Sequence, residues 1–103
     1  MSIIKITKDN FESEVIKSDK PVLIDFWADW CPPCQMLSPV VEEIAKEMDN
    51  VKVCKVNTDD EMMLAQKFSI LNIPTLILFK NGKITGKIVG YRPKSDIIAL
   101  INY

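Results

Sequence analysis

Val22-Leu23-Ile24-Asp25-Phe26-Trp27-Ala28-Asp29-Trp30-Cys31-Pro32-Pro33-Cys34-Gln35, continued by MLSPVVEEIAKE to residue 47, is the stretch that decides the fold. Residues 22–27 are an apolar run with β-branched and aromatic character, short enough to be a strand buried on both faces. Asp25 is the misfit in it. Beyond the cysteines, Leu37, Val40, Val41, Ile44, Ala45 and Met48 recur at helical spacing, which predicts an amphipathic helix over about residues 33–49 with a kink at Pro39. A strand, a short loop and a helix thus meet at Cys31 and Cys34.

Working outward, Ile3, Ile4 and Ile6 suggest a first strand, and Asp9-Asn10-Phe11-Glu12 has the spacing of a capping box opening a short helix with Phe11, Val15 and Ile16 as its apolar positions. Ser18 to Pro21 closes that helix. Downstream, Val51–Val56 is the next strand, and Thr58-Asp59-Asp60-Glu61 offers caps for a helix carrying Met62, Met63, Ala65, Gln66 and Phe68. The two methionines are expected as core and gap fillers, and Cys54 as a small buried hydrophobe without chemistry. Thr75–Phe79 and Ile84–Val89 flank Asn81-Gly82, the strongest short hairpin signal. Ser95-Asp96 followed by Ile97, Ile98, Leu100 and Ile101 predicts a closing helix. The order is β-α-β-α-β-α-β-β-α in one domain over residues 1–103, an α/β chain with a mixed sheet, parallel in its first part and antiparallel at the hairpin.

Composition narrows the function. The 103 residues carry 13 Lys plus Arg against 14 Asp plus Glu, a formal charge of −1, so no field exists to hold a polyanion and nucleic acid is not an expected partner. No apolar segment approaches the roughly 18–20 residues that span a bilayer, and the start, MSIIKITKDN, lacks a basic stretch followed by an apolar run. A soluble, cytoplasmic protein without membrane partners is the expectation. Three cysteines, an odd number, argue against a stapled secreted scaffold. The absence of histidine removes the commonest metal ligand and any Cys-His catalytic arrangement.

Chemistry therefore falls on Cys31 and Cys34. A helix N-terminus presents unpaired amide hydrogens and the positive end of the dipole, which stabilise a thiolate. Cys31 is read as the nucleophile that opens a substrate disulfide, and Cys34, one turn on, as the thiol that resolves the mixed disulfide and leaves a Cys31–Cys34 disulfide. Two intervening residues let one turn bring the sulfurs together. The competing readings are half of a zinc site, which with only Cys54 to spare lacks its four ligands within one chain, and idle core thiols, which fit poorly with two prolines at a helix start.

Asp25 to Cys34, Asp-Phe-Trp-Ala-Asp-Trp-Cys-Pro-Pro-Cys, resembles the active-site segment of the thioredoxin family. The likeness continues through Lys55-Val56-Asn57, Ile73-Pro74-Thr75, Asn81-Gly82 and Val89-Gly90. It implies the thioredoxin fold, a central mixed β-sheet with helices on both faces. It also implies a protein-disulfide reductase and electron carrier that binds no cofactor beyond the redox-active Cys31–Cys34 disulfide, takes electrons from thioredoxin reductase, and acts on protein disulfides as a monomer. Family members usually have Gly-Pro between the cysteines; here Pro32 withdraws a backbone donor and stiffens the loop, changing thiolate stabilisation and disulfide strain together. Gln35 stands where a lysine is common, removing a positive charge near Cys31.

Further roles follow from the same resemblance. Asp25 shares a strand face with Leu23 and Trp27, and its buried carboxyl is expected to have a raised pKa. The likeness implies that, through a water, it moves the proton on or off Cys34; the plain alternative is a strand-end aspartate reaching solvent. Lys55 matches the lysine lying close to this aspartate, and by residue type alone it reads equally as a surface lysine. Most X-Pro bonds are trans, yet in the family the Ile73-Pro74 bond is cis and packs on the disulfide, with the Ile73 backbone pairing to substrate. Trp30, Pro32, Pro33, Ile73, Pro74 and Gly90 are expected to form a substrate-binding apolar rim, with Trp27 as core packing near the site. Two rivals remain beside the reductase: an oxidase or isomerase poised at a higher potential, and a binding subunit on the same fold whose thiols are incidental.

Overall fold

Val22, Ile24 and Phe26 alternate with Leu23, Asp25 and Trp27 along strand β2 (Val22–Trp27), and the two sets face opposite layers of helix in the computed structural model, which describes residues 2–103. Around β2 lie β1 (Ile4–Lys5), β3 (Lys52–Asn57), β4 (Thr75–Lys80) and β5 (Lys83–Val89), in the sheet order β1-β3-β2-β4-β5. The β1·β3 and β3·β2 pairs are parallel and the β2·β4 and β4·β5 pairs antiparallel. This is the expected mixed sheet. Asn81 and Gly82 both take positive φ, 53° and 77°, the conformation a two-residue hairpin turn demands.

One core packs Ile24, Phe26, Cys54, Val56 and Ile77 against Phe11 and Val15 and against Leu64 of α2 (Met62–Lys67). The other sets Leu23, Val53, Leu76 and Leu78 against Leu37, Val41, Ile44 and Ala45 of α1 (Pro32–Glu47) and Ile97 and Ile101 of α3 (Lys94–Asn102). Helices therefore cover both faces, and Asp25 sits on the α1 side. Pro39 lies on the exposed side of α1, which runs uninterrupted through it.

Three local expectations are corrected. The capping box at Asp9–Glu12 does not form: Glu12–Ile16 is a single π-helical turn closed by Lys17 N–H donating to the Glu12 carbonyl at 2.9 Å. Asn10 turns backward instead, its Oδ1 accepting from Thr7 N–H and its amide donating to the Lys5 carbonyl. Ahead of α2 the capping side chains are likewise engaged elsewhere. Asn57 Oδ1 accepts from the Asp59 and Asp60 amides, and Glu61 accepts from Lys8 N–H. Met62 and Met63 are 71% and 75% exposed rather than core. The helix spans only six residues and buries one row, Leu64, while Phe68 just beyond it meets the rings of Phe11, Phe26 and Phe79.

Candidate active site

Cys31 is extended at φ −102°, ψ 103° and caps α1, its sulfur accepting the Cys34 amide at 3.2 Å. Pro32 and Pro33 occupy the first two helical positions, where their missing N–H groups leave the Cys34 amide as the donor that reaches the sulfur. Gln35 N–H closes the turn onto the Cys31 carbonyl at 3.1 Å, and the Gln35 side chain donates to the Asp29 carbonyl. Cys31 and Cys34 form a disulfide with Cα atoms 5.2 Å apart. The pair is 2% and 3% exposed, so the chemistry sits almost beneath the surface.

Ile73-Pro74 is cis, and the Ile73 carbonyl oxygen lies 3.7 Å from Cys31 Sγ. In the disulfide that sulfur has no proton to give; in the thiol it would donate along this contact. Pro74 is buried, and its carbonyl accepts from Gly90 N–H at 2.7 Å. Gly90 has φ +89°, so its place in the sequence reflects backbone conformation as well as an open approach. Trp30 is exposed, with its indole N–H donating to Asp59 Oδ2 at 2.9 Å, a partner the sequence reading did not single out. Pro32 and Pro33 are exposed beside it.

Asp25 is 1% exposed, and neither carboxylate oxygen has a hydrogen-bond partner. Burial pushes its pKa up from 3.8 to about 6, against the opposing pull of Lys55, which faces it in register on β3. The Lys55 ammonium does not bond Asp25. It donates to Ser38 Oγ at 2.8 Å and stands 5.7 Å from the centre of the Trp27 ring. Trp27 is accordingly only half-buried, a correction to its reading as plain core. Trp27, Ala28, Asp29, Cys34, Gln35, Ser38 and Lys55 line a cavity of about 210 Å³, which is ample for water beside the Cys34 sulfur and the Lys55 ammonium. Ser38 went unnoticed in the sequence, although its place four residues after Cys34 puts both on one face of a helix.

Among the described residues no cluster of three or more His, Cys, Asp or Glu side chains is placed to hold a metal. The sequence profile described as Thioredoxin matches residues 2–103. The chain belongs to the thioredoxin family. A thioredoxin of Pyropia yezoensis is 47% identical over 103 residues, covering 99% of this chain and 96% of its own. One of Rickettsia bellii is 49% identical over 98 residues (94% and 93%), and one of Pseudomonas aeruginosa 42% identical over 101 residues (97% and 94%). With the Cys31–Cys34 pair at the active-site position, the protein is a thiol–disulfide oxidoreductase and a disulfide reductase. The thioredoxin family works on protein disulfides and draws on reductase donors.

Proposed function

We propose that this thioredoxin-family chain is a general reductant of protein disulfides in the cytosol, acting as a monomer in electron transport from a separate thioredoxin reductase. The observation that carries the reading is the Cys31–Cys34 disulfide at the N-terminus of α1, with an unpartnered buried carboxyl on the strand just before it. A free, buried Cys54 suits a reducing compartment.

In the reduced protein the Cys31 thiolate, held by the Cys34 amide, attacks one sulfur of the substrate disulfide; an S–S bond forms to Cys31 and the other substrate sulfur leaves as thiolate. Cys34 then attacks Cys31 Sγ, forming the Cys31–Cys34 bond and releasing the second substrate thiolate. Asp25, through water in the adjoining cavity, takes the Cys34 proton as that thiol becomes a nucleophile. Two electrons pass to the substrate, and two protons complete its thiols. Trp30, Pro32, Pro33, Ile73, Pro74 and Gly90 form the rim on which the substrate chain seats.

The deciding experiment equilibrates the pair in graded thiol buffers. A reduction potential at or below the glutathione poise, about −220 mV or lower, is expected; a value well above it would replace the reductase with an oxidase or isomerase. Cys34→Ser should accumulate a mixed disulfide on Cys31, and Cys31→Ser none, as read by non-reducing mass spectrometry. Sedimentation should return the mass of one chain.

A further inference from the structure

The Lys55 ammonium stands between two possible partners. On β2, facing it in register, is the Asp25 carboxyl, buried and without a hydrogen bond. On α1 is Ser38, whose hydroxyl accepts its hydrogen bond at 2.8 Å. Ser38 lies one helical turn beyond Cys34, and Cys34, Ser38, Lys55 and Trp27 wall the same cavity. The ammonium is thus fixed in the wall of the cavity beside the resolving thiol, on the strand position that faces Asp25 in register.

We propose that Ser38 is a positioning residue for disulfide exchange: by holding the Lys55 ammonium away from Asp25, it keeps the Asp25 carboxylate free to take the Cys34 proton. The inference rests on the proton-carrying role given to Asp25 above. A carboxylate and an ammonium in adjacent registered positions of a largely buried sheet face would otherwise form a charge-assisted pair, and a paired carboxylate is a weaker base. The Ser38 hydroxyl offers the ammonium an acceptor that carries no charge, and the Trp27 ring steadies it from the side. The remaining charged groups near Lys55 are Lys5 on β1, in register with it, Asp29 in the loop before Cys31, and Asp60 beyond β3, which lines a neighbouring cleft with Lys55. Among the described residues the ammonium bonds Ser38 and none of these groups, which leaves Asp25 as the buried, unsatisfied acceptor when Ser38 is removed.

The test follows the Asp25 carboxyl carbon by NMR titration in the oxidised protein, together with the pH profile of single-turnover resolution of a Cys31 mixed disulfide by Cys34. Ser38→Ala should lower the Asp25 midpoint from about 6 by roughly one pH unit or more and slow resolution near neutral pH. Ser38→Thr, which keeps the hydroxyl, should restore both. In a Lys55→Met background, Ser38→Ala should change neither, because the ammonium it would release is gone. An unchanged or raised midpoint in Ser38→Ala, or an equal effect of Ser38→Ala with and without Lys55, overturns the proposal. Asp25→Asn separates the two layers of argument: if it leaves the resolution rate and its pH profile intact, the proton-carrier reading fails on its own, whatever Ser38 does to the titration.

Discussion

Replacing Asp25 by Asn tests the account of the buried carboxyl through stability alone, without any substrate. In the folded chain the group titrates at about 6, in the unfolded chain near its ordinary 3.8. Between those values the folded state binds more protons than the unfolded one, so stability falls as pH rises. Below pH 3.8 both states hold the proton and nothing is lost; above pH 6 both have released it and the loss is complete. A displacement of that size corresponds to about 3 kcal/mol. Asparagine is nearly isosteric and cannot ionise, so whatever its unpaired amide costs is the same at every pH. Urea melts of both proteins, disulfide intact, should show the variant gaining about 3 kcal/mol on the parent between pH 3 and pH 8, about two-thirds of it between pH 4 and 6. In thermal melts the relative gain would be on the order of 10 °C for a chain of this length. Two stability curves that run parallel across this range would refute the claim that the carboxyl is ionised at a desolvation cost.

Other consequences are quicker to check. With the disulfide intact, a thiol reagent at pH 8 should find no reactive sulfur in the native protein and one per chain after unfolding, since Cys54 is fully buried and its thiol is pushed up to about 12 by that burial. Leu37→Ala, which empties a fully buried position between α1 and the sheet, should cost about 2–5 kcal/mol in a denaturant melt. Gly90→Ala should cost about 1–2 kcal/mol even though the added methyl would meet no atom within 4 Å, because the loss comes from φ +89° and not from crowding. A loss near zero would return that glycine to the simpler role of leaving the approach open.

The strands, the hairpin and the cysteine-bearing helix were legible because each depends on a periodicity or a dipeptide within a few residues. The period of two along Val22–Trp27 put Asp25 on one face with Leu23 and Trp27, and the structure shows that face to be the one α1 covers. Caps were less legible, since Asn10 turned back to Thr7 and Lys5 while Asp59 and Glu61 bonded partners far along the chain, Trp30 and Lys8. Met62 and Met63 misled because hydrophobicity does not say how much surface a six-residue helix can bury. Ser38 was invisible for a related reason: a serine on a helix acquires meaning only when the strand opposite it is known to carry a lysine.

The shallow depth of the two sulfurs has a consequence for selectivity. A small thiol colliding at random meets proline and tryptophan, not sulfur, since Cys31 and Cys34 together offer almost no target area. Attack also requires a nearly linear approach along the sulfur–sulfur axis, which a freely tumbling molecule finds rarely and a chain already resting against the surface can hold. Burial therefore works as kinetic insulation: it slows leakage of electrons to the surrounding thiol pool while leaving the exchange open to partners large enough to dock.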